Sequence, residues 1–142
     1  MTTVLIVCAV LVISTTVVHY EVLRALNFGL PLVAIPNRRK LLIVVIAAFF
    51  AHAIETAIYG MAVFAMVRFL DIGALAGKTG AALSTSLYFS AETYTSLGFG
   101  DIRPIGPVRV LAGVEALNGL LLIGWSASFI YLAMERFWRI NK

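Results

Sequence analysis

Thr95-Ser96-Leu97-Gly98-Phe99-Gly100-Asp101 is the stretch on which the reading of this chain turns. Two glycines alternate with apolar residues, and glycine adopts backbone conformations that L side chains resist. Upstream, residues 81–95 are moderately apolar and too short to cross a bilayer, which takes about 20 residues. Downstream, Gly106 and Pro107 precede a long apolar run over residues 108–134. Proline suits the first turn of a helix, where its missing N–H would be unpaired anyway. The irregular segment therefore lies between apolar helices. At membrane depth such backbone is tolerated only where protein buries it or where it lines a wet cavity.

Two more apolar runs precede it, residues 4–23 and 41–67. Between them, residues 24–40 carry the breakers Gly29, Pro31 and Pro36 and the basic run Arg38-Arg39-Lys40, a pattern that predicts a connector at the membrane interface. Hydrophobic residues make up 61% of the 142, and mean hydropathy is +0.98. A soluble domain is closer to half apolar, so part of the solvent must be lipid. The expected order is span, connector, span, short re-entrant helix, irregular loop, span. This is an all-α integral membrane fold with three transmembrane helices. The net charge of +4 does not point to nucleic acid, because the basic residues cluster at the ends of apolar runs, where topology signals belong. The single cysteine, Cys8, sits in an apolar run as a packing residue and offers no disulfide. The first run has no basic residues before it and reads as a retained helix rather than a signal peptide. It holds no repeated Arg or Lys and so is not a voltage sensor of the usual kind. The chain stops eight residues after Met134, and no appended ligand domain is expected.

Residues 95–101 resemble the potassium-channel signature Thr-Thr-Val-Gly-Tyr-Gly-Asp. Upstream, Leu87-Tyr88-Phe89-Ser90-Ala91-Glu92-Thr93-Tyr94 is similar to the pore helix of small bacterial two-helix channels, Leu-Trp-Trp-Ser-Val-Glu-Thr-Ala. Pro104 keeps its place downstream. With one deletion after it, Gly119 and Gly124 fall on that family's two inner-helix glycines. The resemblance implies a pore domain over residues 41–142, with an outer helix at 41–67, a pore helix at 81–95, a filter at 96–101 and an inner helix at 107–134. Residues 1–40 are an addition to the two-helix plan. The resemblance further implies a homotetramer around a four-fold axis. Carbonyls of Ser96, Leu97, Gly98, Phe99 and Gly100 would replace the hydration shell of K+, the transported ion, and no cofactor is expected. Thr95, Glu92 and Asp101 would support the filter, the two carboxyls sharing a proton behind it. By the glycine register, Gly119 is a hinge, and Leu120, Ile123, Gly124 and Ala127 line the cavity. Three residues depart from the family signature: Ser96 for Thr, Leu97 for Val and Phe99 for Tyr. In the family the filter mouth faces outward, which implies an extracellular N-terminus and a cytoplasmic C-terminus in the plasma membrane. The excess of basic residues at the cytoplasmic ends agrees.

The spans also carry polar residues that are expensive in lipid. His52 and Glu55 are three apart and share a helix face, as do Glu115 and Asn118. Both pairs fall near mid-bilayer, where a charge costs roughly 2.5–3.5 kcal/mol on insertion scales, so they should find each other. The expectation is one interhelical cluster of His52, Glu55, Glu115 and Asn118, joined by His19 or Glu21. It reads as a static clamp, as a proton-sensing gate element, or as a metal site of His52, Glu55 and Glu115. The function expected is passive, potassium-selective conduction rather than catalysis. The alternatives are a weakly selective cation pore and a non-conducting membrane sensor or metal-binding protein built on the cluster.

Overall fold

The computed structural model describes residues 1–77 and 82–139. Three long helices dominate: α1 (Thr2–Gly29), α2 (Asn37–Arg68) and α4 (Val108–Arg139). Each is long and apolar enough to cross a membrane. The short α3 (Leu83–Tyr94) is the re-entrant helix. The expected start of that helix at Ala81 lies outside the described residues.

Helix bounds depart from the sequence reading in a consistent way. α1 continues past residue 23 because its later polar residues stay off the packed face. Tyr20, Glu21 and Arg24 are exposed, and Arg24 pairs with Glu21 one turn away at 3.2 Å. The connector shrinks to a 3-10 turn at Leu30–Leu32 and an extended stretch ending at Pro36. The basic run then becomes the first turn of α2. Lys40 is buried there, with its ammonium 5.6 Å from the centre of the Phe137 ring on α4. Asn37 donates to the Phe137 carbonyl at 3.0 Å. These two contacts hold the end of α4, which runs on past residue 134.

Two three-residue strands were too short for an alternation signal. β1 (Ala74–Ala76) pairs antiparallel with β2 (Arg103–Ile105), Leu75 opposite Pro104. They pin the loop after α2 to the chain leaving residues 96–101.

α1 packs on both α2 and α4, and α3 wedges between α2 and α4. Small residues allow that wedge. A Cβ at Gly60 would stand 2.8 Å from Leu87 Cδ2 and 3.0 Å from its Cα. A Cβ at Gly119 would overlap the Tyr94 carbonyl oxygen. The expected hinge at Gly119 is therefore corrected: this glycine is a buried contact point in a continuous helix, needed because α3 ends against it.

The core divides into two apolar clusters. One joins Cys8 and Leu11 of α1, Tyr59 and Val63 of α2, Phe89 of α3 and Leu111 of α4. The other joins Leu30, Val44, Ala133 and Phe137 at the opposite end. Along each spanning helix the buried polar residues fall between these clusters, except Lys40 in the first turn of α2. On α1 the buried stripe is Val4, Cys8, Leu11, Thr15, His19 and Leu23. Its spacing of three and four keeps one helix face inward.

Candidate functional site

The segment after α3 is built by its own hydrogen bonds. Thr95 closes the helix, and its hydroxyl donates to the Ala91 carbonyl at 2.7 Å. Beyond it, φ is positive at every second residue: +56° at Ser96, +59° at Gly98 and +81° at Gly100. Alternating handedness of this kind keeps successive N–H groups on one side of the chain. Three of them converge on one residue. Leu97 N–H donates to the Glu92 carbonyl at 2.8 Å, and Gly98 N–H reaches the same oxygen at 3.4 Å. Phe99 N–H donates to Glu92 Oε2 at 3.1 Å. No peptide here is cis, and in a trans peptide the C=O points opposite to the N–H. The carbonyls of Ser96, Leu97 and Gly98 therefore all point away from Glu92, to the open side of the chain. Ser96 is the one non-glycine residue of the three at positive φ, a conformation uncommon outside glycine. The Leu97 and Phe99 side chains are exposed on a single subunit.

Glu92 is buried, and burial pushes its carboxyl above the ordinary range; the Phe99 N–H opposes this and the Asp101 charge adds to it. The expected shared proton with Asp101 is corrected. Asp101 is exposed, and its Oδ1 accepts instead from the Tyr88 hydroxyl at 3.3 Å. The Tyr88 ring lies parallel to that of Phe99, with centroids 6.5 Å apart. Glu92 and Asp101 sense each other as charges while bonding to different groups.

The intramembrane polar residues form two sets rather than one. In the first, His19 Nδ1 is 2.9 Å from Glu55 Oε1, and His52 Nδ1 is 3.0 Å from Glu55 Oε2. Tyr94 of α3 donates its hydroxyl to the same Oε2. On the far side of the two imidazoles, Ser126 Oγ is 3.0 Å from His52 Nε2 and 3.3 Å from His19 Nε2. The rings stand 5.0 Å apart, and Trp125 covers His19 at 5.5 Å. His19, Glu55 and Ser126 are buried. In the second set, Asn118 donates to Thr15 Oγ1 at 2.8 Å and to the Tyr59 hydroxyl at 3.2 Å. Glu115 is fully buried beside Ser90 and Tyr59, and its carboxylate oxygens have no hydrogen-bond partner among the described residues.

A family profile described as "Ion channel" matches residues 40–136. The chain belongs to this ion-channel family. A similar protein is the inward rectifier potassium channel Kirbac3.1 of Paramagnetospirillum magnetotacticum, 38% identical over 52 residues. That match covers 36% of this chain and 18% of the relative, so the chain spans just under a fifth of the curated protein it resembles. No solved structure matches the chain. The matched family is one of channels rather than enzymes, and the three spans make this a multi-pass membrane protein. The profile begins at residue 40, so α1 lies outside the matched residues although it shares this channel's core.

Within this channel, the N–H groups of Leu97 and Gly98 meet the Glu92 carbonyl. Leu120, Ile123, Gly124 and Ala127 lie on an exposed face of α4. The single polar cluster is corrected. His52 and Glu55 join His19, whereas Glu115 and Asn118 lie two to three turns away along α4 from Ser126 and face Tyr59 and Thr15. Glu21 points to solvent or lipid. The reason lies in α1, whose Thr15 and His19 are one turn apart on the buried stripe and divide the acidic and amide groups between them. The expected metal set of His52, Glu55 and Glu115 is corrected with it. His19, His52 and Glu55 offer ligand atoms within 4.8 Å of one another, but each ring nitrogen already has a protein hydrogen-bond partner.

Tyr94, Ser126, Tyr88, Tyr59 and Thr15 were not singled out from sequence. A tyrosine where the family's pore helix has alanine was the visible signal for Tyr94. A lone serine in an apolar run carries almost none, because a helical serine can bond its own backbone.

Proposed function

We propose that this channel conducts potassium selectively, as a homotetramer with one filter strand per subunit around a four-fold axis. Potassium sheds its water only where carbonyl oxygens replace it. The observation that carries this reading is the convergence of the Leu97, Gly98 and Phe99 N–H groups on Glu92, which leaves three successive carbonyls free on the opposite side. Phe99 and Gly100 extend the row, Gly100 continuing the alternation of φ. The exposed Leu97 and Phe99 side chains are the surfaces that neighbouring subunits would cover. The similar Kirbac3.1 is an inward rectifier potassium channel. Transport is passive and needs no cofactor.

The N-terminus faces outward and the C-terminus the cytoplasm, in the plasma membrane. Arg24, Arg38, Arg39, Lys40, Arg136 and Arg139 then lie on the inside, against Arg68, Arg103 and Arg109 outside, as the positive-inside rule asks. Lys78 and Lys142 lie outside the described residues.

Flux into liposomes tests the proposal. Purified channel should pass potassium and exclude sodium. Equal permeation of the two ions would leave a weakly selective cation pore, and absence of any flux would leave a non-conducting membrane sensor.

A further inference from the structure

Glu55, His19, Ser126 and His52 form a closed ring of hydrogen bonds. Glu55 Oε1 meets His19 Nδ1, His19 Nε2 meets Ser126 Oγ, Ser126 Oγ meets His52 Nε2, and His52 Nδ1 meets Glu55 Oε2. Each link needs one proton. An ionised Glu55, two neutral imidazoles and one hydroxyl bring three protons to four links. One more proton completes the ring, and it does so wherever it resides. On an imidazole, it makes that ring a donor at both nitrogens, and Ser126 accepts from it and donates to the other. On Glu55, it donates to one Nδ1, and the chain of bonds runs round in one sense. Both arrangements give the ring zero net charge, the form that a low-dielectric site favours.

We infer that His19 and His52 together bind a single excess proton, and that this proton ties α4 to α1 and α2 through Ser126. When it leaves, Glu55 still holds both Nδ1–H groups. Ser126 has one hydrogen to give to two lone pairs, so one of its two links fails. Ser126 is two residues past Gly124, on the helix whose Leu120, Ile123 and Ala127 form the exposed face. The protonation state of the ring thus sets how firmly that helix is held. The site itself does not depend on potassium conduction; its effect on flux rests on the proposed function.

The groups facing the ring are few. Tyr94 comes from α3; its hydroxyl donates to Glu55 and also stands 3.0 Å from His52 Nδ1. α4 contributes Ser126 and the Trp125 ring beside His19. Glu21 of α1 is exposed and paired with Arg24. Glu115 is eleven residues from Ser126, ~16 Å along α4, beyond the adjacent rings of Tyr59 and Tyr94.

The chain contains two histidines, so histidine-selective isotope labelling of a tag-free channel in lipid reports on this ring alone. As pH rises, both rings should change together in one step that removes one proton from the pair. Ser126→Ala keeps both histidines and cuts the two α4 links, and it should separate the two signals into distinct transitions. Ser126→Thr should restore the single step. Two independent losses in the parent, one proton from each histidine, would overturn the inference. So would stoichiometric zinc capture by both rings in the parent. Flux adds an independent readout: His19→Gln and His52→Gln should flatten the pH profile of potassium flux. A single-step titration in a chain that passes no potassium would keep the proton site and refute conduction. A steep flux profile in both variants would refute the coupling to the pore.

Discussion

Gly119→Ala separates two roles for the same residue by the sign of its effect. If Gly119 were a free hinge, alanine would stiffen α4 and stabilise it by roughly 0.5–1 kcal/mol, the usual helix-propensity gain. The structure gives the opposite sign. A Cβ at this position overlaps the Tyr94 carbonyl oxygen and stands 2.9 Å from its carbonyl carbon and 3.0 Å from the ring's Cγ. Two of these three obstacles are backbone at the end of α3, so no side-chain rotation relieves them. α4 must move off α3 by several tenths of an ångström or more, and overpacking of this kind costs about 1–3 kcal/mol. The displaced group is the last residue of α3, two positions before the filter begins at Ser96. Thermal dissociation of the oligomer in detergent, followed with potassium present, should show Gly119→Ala less stable than the parent. Gly124→Ala is the matched control. Nothing lies within 4 Å of a Cβ there, so it should gain stability by up to about 1 kcal/mol. An alanine at 119 that melts at or above the parent temperature would refute the packing role and return the residue to hinge duty.

Two further outcomes follow from the hydrogen bonds. Glu92→Gln keeps an acceptor for Phe99 N–H and removes the charge facing Asp101. Burial and Asp101 raise the Glu92 carboxyl, so its stabilising protonated form is fully present at low pH and is lost as pH rises through the shifted value. Filter stability in the parent should therefore fall with rising pH across that value, and the profile of Glu92→Gln should be flatter in oligomer melts; matching profiles would rule the carboxyl out as the cause. Asn118→Ala removes donors to Thr15 and Tyr59, and at about 0.6 kcal/mol per interhelical bond it should cost roughly 1 kcal/mol. A double-mutant cycle with Thr15→Val should recover about 0.6 kcal/mol of coupling, and zero coupling would mean that the Asn118–Thr15 bond contributes nothing.

Three spans, a re-entrant helix and the irregular segment over residues 95–101 were legible because each rests on a local signal. Apolar runs report spanning length directly, and residues 95–101 carry a motif whose glycines have a backbone reason. The two strands escaped because three residues cannot show a period. The polar contacts were legible by residue type but not by partner. His52, Glu55, Glu115 and Asn118 were each recognisable as too costly to face lipid, but helix periodicity on α2 and α4 alone does not say what α1 presents. The packed face of α1 is set by tertiary contact, and its residues Thr15 and His19 decide how the polar groups divide. Gly119 misled for a related reason. A glycine in a long helix reads as flexibility until the Tyr94 carbonyl is seen against it.

The same division explains why α1 is integral to this fold, although the family profile begins after it. α2 and α4 by themselves leave Glu55 with one histidine, and leave Asn118 with the Tyr59 hydroxyl as its remaining partner. A carboxylate and an amide on outer faces near mid-bilayer would then meet lipid, where unsatisfied polar groups are costly. α1 supplies His19 to the first and Thr15 to the second, one turn apart, and caps both with apolar residues on the same stripe. The polar residues of α2 and α4 and the buried face of α1 are thus one adaptation. α1 is what makes this polar layer tolerable inside the channel, and that layer is the part of the fold in which a proton can alter how the helices are held.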